Sequence, residues 1–306
     1  RLSLGTAPLG GLFKKVAESE SDAVIREALD SGIGYIDTAP LYGYGVGEIR
    51  VGRGIKGHRN QPAISTKVGR LLRPGKNTEH DKFPDSDPNI EIYFDHSAAG
   101  IRRSLEESLQ RLGRESIEIV YIHDADNWVS DAINVVYPEL HKMREEGLLK
   151  AIGIGMNWCP TSVSIMKDTD LNIALIAGRF TLLDQSAQDE LYPLALKKKV
   201  SIIAAGVFNS GVLANPVDGA HYDYEPASQE ILSKARAIGK YLERYDVSLP
   251  AAALQFPLRH PAVASVLTGA GSLSELRANI ASFDTELPAE LWSDMEAAGL
   301  IAPLNL

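Results

Sequence analysis

Asp37, Tyr42, Lys67 and His123 are the residues whose types and placing could do acid–base chemistry together. A tyrosine hydroxyl with an ordinary pKa near ~10 is a poor base at neutral pH. A neighbouring lysine ammonium favours the phenolate and lowers that value. A carboxylate such as Asp37 keeps the ammonium charged and aimed, as the third member of a triad orients a base. His123 can then hydrogen-bond the reacting oxygen and position it for proton transfer. A carbonyl or alcohol oxygen is the natural substrate of such a set. Taken singly, each residue has an ordinary use as a cap, surface charge or packing residue. Only the combination is chemically coherent.

Each of the four lies at or just beyond a strand signal. Short β-branched or apolar runs occur at residues 1–6, 35–37, 63–67, 117–123, 151–155, 172–177, 200–205 and 264–268. Between them run stretches of helical period, including 19–31, 97–112, 132–146 and 227–245, with Gly32 and Gly113 as stops. Alternating strands and helices predict a parallel sheet, and eight strands match a (β/α)₈ TIM barrel. An open doubly wound sheet is the competing architecture, but no strand leads into G-x-G-x-x-G. The glycine cluster Tyr42-Gly43-Tyr44-Gly45-Val46-Gly47-Glu48 has the wrong spacing for that motif and reads as a loop. Two further segments, 71–93 and 207–226, are rich in Pro, Asp, Asn and Gly and read as loops over the C-terminal face of the barrel. No repeat or linker divides the chain, so residues 1–306 are expected to form one barrel domain.

Composition narrows the partners. The chain carries 31 Lys and Arg against 40 Asp and Glu, a net charge of −9, which disfavours nucleic acid and anionic membranes. No apolar run approaches the ~20 residues needed to span a bilayer. The single cysteine, Cys159, excludes an intramolecular disulfide and fits a reducing cytoplasm, and no zinc-ligand spacing can be written, so no metal is expected. The chain opens at Arg1 with no Met and no leader-like segment, and its natural start is expected upstream. Oligomeric state is not readable; a small-molecule substrate is the expected partner.

The runs Asp37-Thr38-Ala39 with Tyr42-Gly43, Ser65-Thr66-Lys67 and Ile122-His123 resemble the tetrad of the aldo-keto reductase superfamily in order and spacing. The similarity extends to Gly5-Thr6 and to Gly269-Ala270-Gly271-Ser272 with Asn279, nearly the whole chain. This resemblance implies a barrel that binds a nicotinamide cofactor across its C-terminal face without a Rossmann fold. It implies Tyr42 as general acid/base, with Asp37, Lys67 and His123 in support. Cofactor contacts carried over are Gly5, Thr6, Asn157, Phe208, Asn209, Ser210, Gly211, Gly269, Ser272, Glu275 and Asn279.

Where the family usually places cations for an NADP 2′-phosphate, this chain has Gly271 and Glu275. A carboxylate there repels phosphate and can accept ribose hydroxyls, so NAD is the expected cofactor. Glu275 also completes a Ser-x-x-Glu capping box with Ser272. Other family positions depart: Met156 stands before Asn157, and Ala177 and Ala205 replace the usual Gln and the aromatic that stacks on nicotinamide.

The runs 178–183 and 206–211 resemble a narrower group, the NAD-dependent aldose dehydrogenases (L-fucose, D-threo-aldose, L-galactose) and pyridoxal 4-dehydrogenase. That resemblance implies oxidation of a hemiacetal hydroxyl to a lactone, or of pyridoxal to 4-pyridoxolactone. An NADPH-dependent carbonyl reductase and a non-catalytic nicotinamide sensor remain alternatives. A barrel hydrolase is more distant, with only Asp37 and Asp124 as rim carboxylates near the tetrad. Phe13, Tyr93, Phe94, Trp128 and Trp158 are candidate pocket walls, with plain loop packing the competing use.

Overall fold

Alternation along each strand sets the frame. The computed structural model describes residues 1–305. Eight parallel strands close a barrel: β1 (Leu2–Gly5), β2 (Tyr35–Asp37), β3 (Ala63–Val68), β4 (Ile117–His123), β5 (Leu149–Met156), β6 (Ile173–Ala177), β7 (Ser201–Ala205) and β8 (Val263–Gly269). Their spatial order is β1-β8-β7-β6-β5-β4-β3-β2, with β1 closing onto β2. Every strand lies within two residues of its expected bounds.

Successive side chains of a strand point to opposite faces. Ile36, Ile64, Val120, Ile122, Ile154, Ile202 and Val266 pack outward in the large core under the helices. Tyr121, Leu175, Ile203 and Leu267, each one position out of step, form a separate cluster inside the barrel. By the same parity Asp37, Lys67 and His123 face inward at the strand ends. The C-terminal rim inherits them.

Helices Glu18–Asp30, Ala98–Leu112 and Gln229–Leu242 follow the expected periods. Ser97 and Ser228 cap the latter two, accepting the amides of Gly100 and Ile231. Four segments differ from expectation. The run from Tyr42 to Glu48 is not loop throughout: Gly45, at φ 91°, ends a turn, and Val46–Ile55 is a helix. Its glycines serve packing, since a Cβ on Gly52 would lie 2.5 Å from the Leu112 carbonyl oxygen.

Segment 71–93 belongs to an antiparallel ribbon, Arg70–Pro74 paired with Ile90–Phe94. The helix expected at 132–146 opens with a π-helical turn, Ala132–Val136, before Tyr137–Glu145. Pro138 has no N–H to give to the residue four back, which breaks the regular ladder there. Segment 207–226 is a loop apart from a two-residue ladder, His221–Tyr222 against Glu225–Pro226. No helix among the described residues is long and apolar enough to cross a membrane.

Candidate active site

Three consecutive strand ends and one turn bring the four acid–base residues together. Lys67 is almost fully buried, and its ammonium donates to Asp37 Oδ2 at 2.7 Å, the Thr38 carbonyl at 2.8 Å and Tyr42 Oη at 3.0 Å. All three N–H donors of the ammonium are used. Because Lys67 donates to Tyr42 Oη, the tyrosine's own hydrogen is left for another acceptor. The turn that carries Tyr42 is pressed by Gly10, where a Cβ would lie 2.6 Å from the Tyr42 carbonyl carbon. The His123 ring stands edge-on to Tyr42, with centroids 6.4 Å apart.

Beneath the rim runs a polar chain that sequence reasoning missed. Ser65 Oγ donates to Asp37 Oδ1 at 2.6 Å, Tyr35 OH lies 2.7 Å from Ser65 Oγ, and Tyr121 OH lies 2.9 Å from Tyr35 OH. Both Asp37 oxygens are therefore engaged. Strand parity could have found these partners, because Tyr35, Asp37, Ser65, Lys67, Tyr121 and His123 all occupy the inward register.

Burial dominates the electrostatics. It pushes the Asp37 carboxyl up, against the pull of Lys67. It also pushes the Tyr42 hydroxyl well above its ordinary range, reinforced by Asp37, Tyr224 and Asp124. The lowering expected from Lys67, 3.0 Å away, is outweighed in the free protein by desolvation. His123 moves the other way, held well below its ordinary range by burial and by Arg70 and Lys67.

Arg70 and Asp124 complete the rim. Arg70 Nη1 lies 2.9 Å from His123 Nδ1 and 2.9 Å from Asp124 Oδ2. Both carboxylates that a hydrolase would need are thus committed to cations, Asp37 to Lys67 and Asp124 to Arg70.

The expected cofactor residues form an arc from β8 to the loop after β7. Gly5 pairs with both Asp37 and Gly269 in register, and a Cβ on Gly269 would strike Pro8 at 2.7 Å. Thr6 turns its hydroxyl to the Asp37 carbonyl at 2.9 Å. Ser272 caps the helix Leu273–Phe283 by accepting the Glu275 amide. Glu275 returns not to Ser272 but to the Gly271 amide, 2.7 Å away, so the capping box is displaced by one residue. Its other oxygen pairs with Lys14 at 2.9 Å, an exposed cation that the sequence did not single out. Asn279 Nδ2 donates to the Gly269 carbonyl at 3.1 Å.

Asn157 accepts Arg179 Nε on its backbone oxygen at 2.7 Å, while its side-chain amide bonds no described residue. Met156 is buried, with its sulfur 3.2 Å from the Ala125 amide. Phe208 packs against the core and Asn209 reaches the Gly178 carbonyl at 3.3 Å, but Asn209 Oδ1 is buried with no partner. Gly211 bridges to His221, and Ser210 Oγ accepts the Tyr224 amide at 2.9 Å. An orphaned buried acceptor, a free carboxamide and a capped helix N-terminus along one arc fit an extended dinucleotide.

Each candidate wall aromatic already has a neighbour. Phe13 stacks on His221, Trp128 on His96, and Phe94, Tyr93 and Trp158 lie under Arg70, Arg73 and Arg179. Among the described residues no group of three or more His, Cys, Asp or Glu is placed to hold a metal.

Comparison with known proteins places this geometry. The Aldo/keto reductase family model matches residues 1–299. Pyridoxal 4-dehydrogenase of Microbacterium luteolum is 38% identical, covering 98% of this chain and 94% of that protein. D-threo-aldose 1-dehydrogenase of a Pseudomonas species is likewise 38% identical, over 98% of this chain and 94% of its own length. L-galactose dehydrogenase of Arabidopsis thaliana is 29% identical, over 97% and 89%. In fold, the chain superposes on the holo form of aldo-keto reductase AKR11C1 from Bacillus halodurans with a TM-score of 0.80, at 24% identity over 98% of this chain and 91% of that one. A family match that runs almost end to end, joined to relatives at this identity and coverage, shows that the protein is an oxidoreductase belonging to the aldo/keto reductase family.

Proposed function

We propose that this protein is an NAD-dependent dehydrogenase that oxidises the hemiacetal hydroxyl of a fucose-, arabinose- or galactose-type aldose to a lactone. The observation that carries the reading is the Lys67 ammonium, whose three donors are spent on Asp37, Thr38 and Tyr42 so that the Tyr42 hydrogen is free to exchange with a substrate oxygen. A bound nicotinamide dinucleotide supplies the hydride acceptor. The remaining work falls to residues of this chain. Tyr42 Oη, once ionised, takes the hydroxyl proton; Lys67 steadies the phenolate; Asp37, held by Ser65, keeps Lys67 charged and aimed; His123 hydrogen-bonds the reacting oxygen.

Asn157, Asn209, Ser210 and the arc from Gly269 to Asn279 would hold the dinucleotide, with Gly5, Thr6, Phe208 and Gly211 shaping its bed. The choice of NAD is supported by the carboxylate of Glu275 and the lack of a side chain at Gly271. A second reading, oxidation of pyridoxal to 4-pyridoxolactone, is favoured by the equal 38% identity to a pyridoxal 4-dehydrogenase. It asks the same chemistry of the tetrad.

The deciding experiment is a steady-state assay that pairs NAD and NADP with L-fucose, D-arabinose, L-galactose and pyridoxal. NADH formation with the sugars is the expected result. Preference for pyridoxal keeps the mechanism and changes the substrate. Turnover with NADP alone overturns the cofactor assignment, and cofactor binding without any turnover returns the protein to a sensor.

A further inference from the structure

Beside the tetrad stands a charged group that the mechanism has not used. Arg70 opens the ribbon after β3, with its guanidinium seated 5.6 Å over the Phe94 ring and its side chain mostly buried. Its Nη1 makes two contacts of equal length, 2.9 Å to His123 Nδ1 and 2.9 Å to Asp124 Oδ2. A guanidinium is always charged and has no lone pair with which to accept a hydrogen bond. The Nδ1 atom facing it must therefore be the acceptor, and any proton on the ring must sit on Nε2.

We infer that Arg70 is a positioning residue that locks His123 as the neutral imidazole carrying its hydrogen on Nε2. In that form His123 can donate a hydrogen bond to the substrate oxygen but has no second proton to deliver, so proton exchange with substrate belongs to Tyr42 alone. The inference rests on the reaction proposed above for its meaning, though not for its test.

The charges around the ring agree in balance. Arg70 on the ribbon and Lys67 on β3 both oppose an imidazolium, and burial opposes it further. Asp124, at the end of β4, lies 3.5 Å from Nε2 and favours protonation, but its Oδ2 is already paired with Arg70. Tyr42, in the turn after β2, presents a ring edge, and Tyr224 on the loop after β7 is an uncharged phenol under the influence of Asp124 and Lys67. The guanidinium thus does two jobs at once: it blocks Nδ1 and neutralises the one carboxylate that would charge the ring.

The test is a ¹⁵N NMR titration of the free protein labelled at histidine. The chain has seven histidines, and the His123 signals are those lost in His123→Gln. The expected wild-type result is an unprotonated Nδ1, a protonated Nε2, and no titration between about pH 5 and about pH 8, the span over which an ordinary imidazole changes charge. In Arg70→Met the same ring should begin to titrate inside that span, and kcat/KM for oxidation should gain an ionisation absent from wild type. A wild-type His123 protonated on Nδ1, or titrating near ~6.5 like a free imidazole, overturns the inference. So does an Arg70→Met protein in which the ring behaves as in wild type. The proposed reaction fails separately, by undiminished turnover in Tyr42→Phe, and the NMR result is indifferent to that outcome.

Discussion

At the residue scale the site is governed by desolvation, and desolvation predicts how rate follows pH. Burial holds the Tyr42 hydroxyl well above its ordinary range, so at neutral pH the group is a phenol. Oxidation needs an acceptor for the substrate proton, whereas reduction needs the proton already in place. Oxidation should therefore accelerate with rising pH, by at most about tenfold per unit for a single ionisation, while reduction slows over the same range. Rates measured in both directions from about pH 7 to about pH 10 check this; parallel profiles would mean that Tyr42 does not carry the proton.

Glu275 offers a second test at this scale. It is paired with Lys14, and both groups are roughly half exposed, so the pair is worth little by itself. Its consequence is positional: at the proposed ribose site Glu275 neutralises Lys14, a cation that a 2′-phosphate there could otherwise use. Glu275→Gln should free Lys14 and raise NADP affinity by about fivefold at most, with NAD affinity unchanged or lower. Titrations with each cofactor read this directly, and an unaltered ratio would remove Glu275 from the ribose site.

The four acid–base residues could be picked from the sequence because each terminates or closely follows a strand. Lys14 and Arg70 could not. One sits in the long loop after β1 and the other at the mouth of a ribbon, and only the folded loops bring them to Glu275 and His123.

At the scale of elements, what could be read was what obeys a period. All eight barrel strands were visible because branched apolar residues fill them, and the long amphipathic helices because their buried faces recur every three to four residues. The helix Val46–Ile55 was hidden by its own packing. It lies between Glu18–Asp30 and Ala98–Leu112 and approaches both closely. That approach demands small residues at Gly52 and Gly54, which face Leu112 and Ile25, while the cluster Tyr42–Glu48 that leads into the helix reads as a loop.

The same observation makes a prediction. In Gly52→Ala the new methyl would press on the Leu112 carbonyl, a backbone atom that cannot step aside cheaply. Destabilisation of about 1–3 kcal/mol is expected from overpacking, minus a few tenths returned by the better helix former. A lower urea midpoint at unchanged slope would report it. Unchanged stability would mean that the two helices have slack between them. The ribbon at 70–94 escaped notice for a different reason: its strands are separated by a long Pro- and Asp-rich excursion, so no tight-turn signal joins them.

At the scale of the molecule, the loop 207–226 ties the C-terminal face together. Arg179, at the end of β6, holds the Asn157 backbone on β5's side, Asp184 beside it, and Asp223 on the loop at 2.6 Å. Next to that anchor Asp223 and Tyr224 adopt left-handed backbone, φ 49° and 67°, a conformation that costs non-glycine residues energy and persists only under constraint. Farther along, His221 stacks on Phe13, so the loop reaches across to the segment after β1. Barrel loops of this length are uncommon unless they cover something.

If the dinucleotide lies along the arc from Gly269 to Asn209, it must pass under this strap, and the Arg179–Asp223 pair becomes the fastening that yields when it leaves. Asp223→Asn keeps the shape of the side chain, removes its charge and leaves Arg179 still bound to Asp184. The fold and the tetrad should therefore be undisturbed, while NAD release quickens by about three- to tenfold, the range for weakening one half-buried charged contact. Stopped-flow displacement of bound NADH, followed by its fluorescence, measures that rate. An off-rate equal to wild type would place the cofactor outside the strap and leave the strained turn at Asp223 and Tyr224 to serve the substrate side of the rim instead.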